Sequence, residues 1–538
     1  MTEESLSKFE KLSPFELKDK LIHIAKKNSN LLTYNAGRGN PNWIATTPRY
    51  AFFLLGQFAL QEAQSQAYTA GIGFHPSKIG LYYRFQVYAK KNSNKEGMLF
   101  LKDAVDYAID QLDFDQDSWM SELVTGVLGD NYPRPDRILP HTERVVYRYL
   151  QKTMGDLHQP YDLFATEGGT AAMRHCFDSL MTNNLLKKGD TIALAVPTFT
   201  PYLEMPHLPD YDLHIIYITA DHRDNWQYPQ NELDKLKNPK IKALFIVNPG
   251  NPTSYSIAPK IVTYLVNLVK NYRPDLMILS DDVYGSFIKG FQSLAVSLPH
   301  NTLLVYSFSK HMGCTGWRLA VVALHQDNIF DQMISRLPEK EKKQINERYQ
   351  TLSTQPENIK FIDRMVADSR AVALNHTAGL SLPQQIQMTL FSLFFLLEPG
   401  NQYIQHTQSM LHNRLKNLYH ALDLKLETNA RNTEYYIILD IIGLAEKYYD
   451  KQFAKYLEKN FHPLKFIFDL AEQKSVVLLN GDGFGAAKWS VRVSLANLNE
   501  SDYTLIGQAI KQILYTYHKE YMRISEIRNY NKELGNER

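Results

Sequence analysis

The stretch YSFSKHMGCTGWR, residues 306–318, is the most informative part of this 538-residue chain. It overlaps the short apolar run 303–307, so Lys310 follows directly on a predicted buried strand. Ser307 supplies a hydroxyl and Arg318 a planar guanidinium, and both groups bind phosphates well. An isolated lysine would be a solvated surface charge. This spacing predicts instead that Lys310 lies at a strand end and faces a ligand pocket.

Short apolar runs alternate with helical patterns through the middle third of the chain. Runs that are apolar on both faces and joined by helical crossovers are typical of buried parallel strands. They predict an α/β fold with a mostly parallel central sheet, whose ligands bind at the carboxyl ends of the strands. The predicted strands are 191–196, 241–247, 276–280 and 303–307, with helices such as 171–186 and 261–272 between them.

The two ends of the chain differ from its middle and predict a second, smaller α+β domain. Helical patterns occur at 410–422 and 502–517, and strand patterns at 433–440 and 489–495. The polar stretch 326–375 has a helical pattern without a strand signal, which we interpret as an insertion. The predicted parts are an N-terminal arm with part of the small domain (1–60), a large domain (61–380) and a small C-terminal domain (381–538).

Composition narrows the class of protein. The charges nearly balance, 59 basic against 57 acidic residues, so no broad basic field predicts binding to nucleic acid. Cys176 and Cys314 are too few for a disulfide framework and fit free thiols in a reducing cytosol. The longest apolar run, 388–397, is about half the length that a membrane-spanning helix needs. With a polar N-terminus that lacks a signal-peptide pattern, these features predict a cytoplasmic protein that does not enter membranes.

The pattern S-x-S-K, with an arginine eight residues after the lysine, resembles the fold type I aminotransferase superfamily and its aspartate aminotransferase class. The resemblance implies pyridoxal phosphate as the cofactor and a site without a metal. It implies that Lys310 bonds covalently to this cofactor and shuttles protons. Ser307 and Arg318 would bind its phosphate.

The segment SDDVY, residues 280–284, matches the D-x-x-Y pattern of that class. Asp281 would pair with the protonated ring nitrogen of the cofactor and keep the ring cationic, so that it can accept electrons. Tyr284 would hydrogen-bond the phenolic oxygen of the ring. Asp282 competes with Asp281 for the first role, and a helix cap is the other interpretation of the acidic pair.

Three further motifs follow the order of the class. Asn251, in the NPT of residues 251–253, would approach the same phenolic oxygen, although the motif is also a turn signal. Phe199 would stack on the ring, unless it is an ordinary core aromatic. The backbone and hydroxyl groups at a predicted helix N-terminus would bind the phosphate; they belong to Gly168, Gly169 and Thr170.

Arg492 lies on a predicted buried strand, where an arginine is unusual without a partner. In the class, this is the place of the arginine that binds the substrate α-carboxylate. The planar guanidinium suits a carboxylate because it offers two parallel hydrogen bonds.

Segments outside these motifs resemble one branch of the class, the aspartate β-decarboxylases. This resemblance implies conversion of L-aspartate to L-alanine and CO2, with transamination as a side activity. The segments are 13–18, 35–43, 130–137 and the insertion after residue 326.

The branch also implies roles for residues far from Lys310. Arg38, in a glycine-flanked turn with Gly39, would handle the substrate β-carboxylate, and Lys18 would help to close the pocket. Tyr132 would reach the phosphate of a neighbouring subunit, so a homodimer is the smallest working unit and larger assemblies of dimers are expected. Arg38 as a structural arginine and Lys18 as a solvated lysine are the competing interpretations.

Two other functions are compatible with parts of the pattern. A plain aspartate aminotransferase would share all the general motifs. A non-catalytic regulator with this fold would carry a DNA-binding helix-turn-helix with basic charge near it, and neither end of the chain has that pattern.

The covalent role of Lys310 predicts a visible signature. We expect the purified protein to be pale yellow after reconstitution with pyridoxal phosphate, and Lys310→Ala to lose that absorbance. Absorption spectra of the dialysed proteins check this. A wild-type protein that stays colourless would contradict the assignment.

Overall fold

The computed structural model describes residues 6–10, 12–27, 32–65, 71–157, 160–370 and 379–536. Its strands, in chain order, are β1 (Tyr34–Asn35), β2 (Tyr161–Thr166), β3 (Thr191–Val196), β4 (His214–Thr219), β5 (Ile241–Val247), β6 (Met277–Asp281), β7 (Thr302–Ser307), β8 (Ala320–His325), β9 (Tyr436–Asp440), β10 (Val476–Val477), β11 (Leu479–Asn480) and β12 (Ser490–Ser494).

A seven-stranded sheet in the order β2-β8-β7-β6-β5-β3-β4 forms the centre of the molecule. Strands β3 to β7 run parallel, and only β8 is antiparallel to its neighbours β2 and β7. The predicted α/β class with a mostly parallel sheet is therefore confirmed. A smaller antiparallel sheet, β11-β12-β9, lies in the C-terminal part, and β1 pairs with β10.

The predicted strands are confirmed, and their boundaries differ from the observed ones by three residues at most. The runs 191–196 and 241–247 are β3 and β5 without any shift. The run 276–280 is shifted from β6 by one residue at both ends, and 303–307 begins one residue later than β7. The sequence did not predict β2, β4 or β8. One reason is that β2 carries Asp162, a buried carboxylate paired with Lys360 at 2.8 Å, which interrupts its apolar run.

Helices cover both faces of the large sheet and surround the small one. They are α1 (Pro14–Lys27), α2 (Thr47–Gln64), α3 (Leu81–Lys91), α4 (Met98–Leu112), α5 (Gln116–Leu128), α6 (Pro140–Thr153), α7 (Gly169–Thr182), α8 (Thr200–Glu204), α9 (Gln230–Asp234), α10 (Pro259–Tyr272), α11 (Leu294–Ser297), α12 (Ile329–Ser335), α13 (Glu339–Tyr349), α14 (Phe361–Asp368), α15 (Leu382–Leu397), α16 (Gln402–Ala421), α17 (Ile441–Tyr448), α18 (Lys451–Asn460), α19 (Pro463–Lys474) and α20 (Glu500–Asn536).

Separate apolar cores hold these layers together. On one face of the large sheet, α7, α12 and α14 bury a core in which Phe177 stacks on Phe245. The other face packs against α10 on one side and α6 with α15 on the other. The core of the small sheet includes Leu17 and Leu21 of α1, so the N-terminal arm packs on the C-terminal part of the chain.

The packing of two helices bears on the predicted domain boundaries at residues 60 and 380, which remain predictions. Helix α2 runs across residue 60, and α15 packs against α2, α5 and α6 of the helical layer. This packing favours boundaries near residues 46 and 400. The stretch 326–375 contains α12, α13 and α14 and no strand as far as residue 370, and its last residues lie outside the described part.

None of the helices in the described ranges combines the length and the apolar content that crossing a membrane requires.

The contact between α5 and α15 predicts a measurable difference between two glycines. A Cβ at Gly126 would stand 2.5 Å from the Ile386 side chain, whereas a Cβ at Gly56 would meet nothing closer than 3.8 Å. We expect Gly126→Ala to lower stability by about 1–2 kcal/mol through overpacking, and Gly56→Ala to be neutral or slightly stabilising through helix propensity. Thermal unfolding midpoints compare the two variants. Equal midpoints would contradict the close helix contact.

Candidate active site

The carboxyl ends of β5, β6 and β7 meet the N-terminus of α7 around a cavity of about 400 Å³. This edge of the sheet, at the carboxyl ends of the strands, is where the sequence predicted ligand binding. The predicted residues that line the cavity are Gly39, Gly169, Thr170, Phe199, Asn251, Asp281, Tyr284, Ser307, Lys310, Arg318 and Arg492.

One end of the cavity has the chemistry of an anion site. Helix α7 begins at Gly169, and a Cβ there would lie 3.4 Å from the Cβ of Ser307. Ser307 donates its hydroxyl hydrogen to the hydroxyl of Ser309 at 3.0 Å. Gly168 has φ 104°, and any side chain on it would collide with the guanidinium of Arg318. A helix N-terminus, two hydroxyls and a guanidinium therefore surround one position, an arrangement suited to a phosphate.

The two neighbouring aspartates at the end of β6 have different surroundings. Asp281 lines the cavity, and its carboxylate accepts a 2.6 Å hydrogen bond from the hydroxyl of Tyr202. Burial raises the pKa of Asp281, while the Tyr202 hydrogen bond acts in the opposite direction. Asp282 is fully buried away from the cavity and accepts a hydrogen bond from Ser280, and burial raises its pKa to about 7. Asp281 is thus the carboxylate available to a ligand.

The Lys310 amine points into the cavity and donates to the carbonyl oxygen of Gly39 at 2.9 Å. The hydroxyl of Tyr435 donates to the same oxygen at 2.9 Å. Behind the lysine, the carbonyl of His311 accepts from the Tyr403 hydroxyl at 2.9 Å. Tyrosines from distant parts of the chain therefore hold both the backbone next to Lys310 and the glycine that accepts its hydrogen bond.

Arg492, on β12, is a buried cation at the other side of the cavity. Its Nη2 donates to the carbonyl of Gly37 at 2.9 Å, and its Nη1 donates to Oδ1 of Asn251 at 3.2 Å. The rings of Tyr436 and Phe484 each lie 4.5 Å from its Cζ atom. Burial lowers the pKa of Arg492, and its Nε has no hydrogen-bond partner within the described ranges. The guanidinium is suited to an anionic ligand such as a carboxylate.

Tyr284 and Asn251 lie together at the centre of the site. The Asn251 amide donates to the Tyr284 hydroxyl at 3.5 Å, and this hydroxyl donates to that of Tyr436 at 3.0 Å. Phe199 borders the same cavity, with its ring 5.3 Å from that of Tyr202. These positions fit the predicted roles around an aromatic ring, which remain predictions.

Four predicted residues do not line the cavity: Gly168, whose backbone directly precedes the N-terminus of α7, and three others. Arg38 is exposed in the turn before Gly39, and Tyr132 is 73% exposed in the loop after α5. Lys18 lies on α1, where it pairs with Asp19 at 3.4 Å. Its amine also lies 5.7 Å from the ring of Phe15, a residue that does line the cavity. The structure leaves the roles of these three residues as predictions.

Sequence reasoning missed Tyr202, Phe15, Tyr435 and Tyr436. Tyr202 lies in α8, three residues after Phe199. Residues three apart in a helix share a face, so this spacing could have indicated that both rings border the same cavity. Tyr435 and Tyr436 fall in the predicted strand 433–440, where tyrosines suit an ordinary core. Only the folded chain brings them next to Tyr284.

Comparison with known proteins supports the interpretation of this cavity. A family model described as aminotransferase class I and II matches residues 137–510. The chain belongs to this family. A bifunctional aspartate aminotransferase and L-aspartate beta-decarboxylase from a Pseudomonas species is similar to it, with 45% identity over 520 residues, covering 96% of this chain and 98% of the relative.

Solved structures of other aminotransferases share the fold. An aromatic aminotransferase from Pyrococcus horikoshii superposes with a TM-score of 0.56 at 17% identity, covering 93% of this chain and 99% of that chain. A double mutant of the aspartate aminotransferase from Thermus thermophilus superposes with a TM-score of 0.55 at 14% identity, covering 94% and 96%. The architecture is that of the fold type I enzymes.

Pyridoxal phosphate is the cofactor of this family and of this protein. The cavity fits it on structural grounds, because the side-chain-free backbone at Gly168, the hydroxyls and Arg318 suit its phosphate, while Asp281 suits its pyridine nitrogen. When bound, the cofactor supplies a cationic ring that accepts electrons from the α-carbon of an amino acid.

The anion site generates a prediction for two glycines. Gly168→Ala would force the Arg318 guanidinium aside at a backbone position that also disfavours a side chain, whereas a Cβ at Gly316 would meet nothing within 4 Å. We expect Gly168→Ala to weaken the affinity for pyridoxal phosphate by about 5- to 100-fold, the range for an overpacked contact. Gly316→Ala should bind the cofactor as wild type does. Equilibrium dialysis with absorbance detection measures both, and equal affinities would refute the phosphate position.

Proposed function

We propose that this protein removes the β-carboxylate of L-aspartate, releasing L-alanine and CO2, with aspartate transamination as a side activity. The cavity supports amino-acid chemistry, because a lysine, a carboxylate and a buried arginine face the same space. The choice of reaction is supported by the near-complete match to the Pseudomonas relative, which extends through the N-terminal turn and the insertion. That full-length match is the observation that carries the proposal.

The proposed cofactor contacts divide the cavity into two ends. Gly168, Gly169, Thr170, Ser307 and Arg318 would bind the phosphate. At the other end, Asp281 would keep the ring nitrogen protonated. Tyr202 supports this role because its hydrogen bond stabilises the ionised form of Asp281 against the cost of burial.

Around the same ring, Phe199 would stack on the face, and Tyr284 and Asn251 would hydrogen-bond the phenolic oxygen. Their mutual hydrogen bond, at 3.5 Å, supports this joint position. A fixed ring matters for the reaction, because electron flow into it requires the breaking bond to stand in a defined orientation.

The proposed substrate contacts use the basic residues. Arg492 would bind the α-carboxylate, and the Lys310 amine would then take the proton from the α-carbon. Arg38 and Gly39 would hold the β-carboxylate, with Lys18 closing the pocket from α1. The neighbouring backbone supports this placement, since Arg38 lies between Gly37, which accepts from Arg492, and Gly39, which accepts from Lys310.

We propose that the working unit is a homodimer, assembled into a larger homo-oligomer. Helices α2 and α3 present several large apolar side chains to solvent. Monomeric proteins rarely expose large apolar patches, so these side chains favour a surface that another subunit covers. Tyr132, itself 73% exposed, could then reach the phosphate site of the partner. The exposed apolar residues are Tyr50, Phe53, Leu60, Tyr83 and Val87.

The ratio of products from L-aspartate tests the function. We expect the holoenzyme to release CO2 and alanine over many turnovers without any added keto acid, while oxaloacetate stays limited to the amount whose amino group the cofactor itself retains. Arg38→Ala should lower kcat/KM for alanine formation by about 10- to 100-fold, the loss expected for a charge-assisted hydrogen bond. Arg148→Ala, at an exposed arginine away from the cavity, is the matched control. Release of oxaloacetate alone would show a plain aspartate aminotransferase.

A further inference from the structure

Tyr436, the first residue of β9, occupies a position that the roles above leave unexplained. Its side chain lines the cavity and its hydroxyl accepts from Tyr284 at 3.0 Å. On the other side of the hydroxyl is Gly39, where an added Cβ would lie 2.6 Å from the Tyr436 oxygen and 3.4 Å from the Lys310 amine. The tyrosine hydroxyl and the lysine amine therefore converge on one glycine of the N-terminal turn.

The position of this hydroxyl is fixed from several directions. Ser254 donates to the backbone carbonyl of Tyr436 at 2.9 Å and accepts from its backbone N–H at 2.8 Å. Ser254 holds a φ of 64°, an unusual backbone state for a residue with a side chain, and belongs to the loop that carries Asn251. The Tyr436 ring also packs against the Arg492 guanidinium. The contact of the ring with Arg492 and the hydrogen bond from Tyr284 restrain the side chain, while the two Ser254 hydrogen bonds hold the backbone from which it projects.

A water molecule at the same place would have several polar partners. The Tyr284 hydroxyl is one, and the Lys310 amine and the Asn251 amide border the same cavity. An ordered water needs two to four such partners and the space of about one probe sphere. The Tyr436 oxygen fills that space, so an unreactive hydroxyl on a fixed side chain takes the place of a mobile water molecule.

The two reactions of the proposed function differ in their need for water. In transamination, the oxygen of water bonds to the substrate α-carbon, the C–N bond breaks, and the amino group and two electrons stay with the cofactor. In decarboxylation, the bond between the β-carbon and its carboxylate breaks, CO2 leaves, and the β-carbon gains a proton in place of the carboxylate. Whichever step comes first after the α-proton has moved decides the product.

We propose that Tyr436 determines the partition between alanine and oxaloacetate, because its hydroxyl keeps water from the space beside Lys310 and Gly39. This inference rests on the proposed function. Tyr436 acts here as a specificity-determining residue and contributes no new bond to the reaction.

Tyr436→Phe tests the inference, because it removes the oxygen and keeps the ring against Arg492. We expect the ratio of alanine to oxaloacetate formed from L-aspartate to fall by about five- to tenfold, the effect of one lost hydrogen bond. Tyr161→Phe is the matched control. It removes an equally buried hydroxyl, which donates to Ala295 at 2.7 Å outside the cavity, and should leave the ratio unchanged.

A binding measurement separates this role from simple support of Arg492. Succinate serves as the probe, because it has the two carboxylates of aspartate but no amino group to react. Its dissociation constant, followed by the visible absorbance of the holoenzyme, should change less than about twofold in Tyr436→Phe, since the ring that packs against Arg492 remains. A weakened succinate affinity with both products reduced in parallel would overturn the inference. An unchanged product ratio would overturn it as well.

Ser254→Ala provides a second route if Tyr436→Phe fails to fold. It removes both hydrogen bonds to the Tyr436 backbone and keeps the hydroxyl, so the ratio should fall in the same direction by a smaller factor. An unchanged ratio in that variant counts against the inference. A wild-type enzyme that forms no alanine would instead refute the proposed function, and the two failures are thereby distinguishable.

Discussion

Arg492 carries a permanent positive charge in a residue that is only 1% exposed. Removing a guanidinium from water is costly unless hydrogen bonds and aromatic faces replace its hydration. Here the replacements come from three parts of the chain: Gly37 of the N-terminal turn, Asn251 of the loop after β5, and the rings of Tyr436 and Phe484. The cavity depends on this cation, because two of the groups that surround it, Asn251 and Tyr436, also line the cavity.

The cavity has more basic than acidic side chains. Lys310, Arg318 and Arg492 are basic, and Asp281 is the acidic residue among the described groups that line the space. Such a site attracts a ligand that carries a phosphate and carboxylates, and its one carboxylate suits a cationic group of the same ligand. The buried Tyr202 hydroxyl makes that single acid possible, since it offsets part of the cost of keeping Asp281 ionised.

The part of the site that could be predicted is the part encoded within a few residues. Lys310, Ser307 and Arg318 lie within one strand and the turn after it, so their spacing alone brought them together. Tyr202 and Tyr436 were missed because their hydroxyl partners lie 79 and 152 residues away in the chain. A tyrosine on a strand is usually a core residue, and no local pattern distinguishes one that borders a ligand.

The fold shows the same division. Continuous apolar runs such as 191–196 and 241–247 are buried on both faces, and they determined the sheet and its functional edge from the sequence alone. The choice between Asp281 and Asp282 needed the tertiary structure, because consecutive side chains leave a strand on opposite faces and only the packing around β6 tells which face is the cavity. The convergence of the N-terminal turn, the Asn251 loop and β9 on Arg492 was likewise decided by folding, since a buried charge is stable only where distant segments supply its hydrogen bonds.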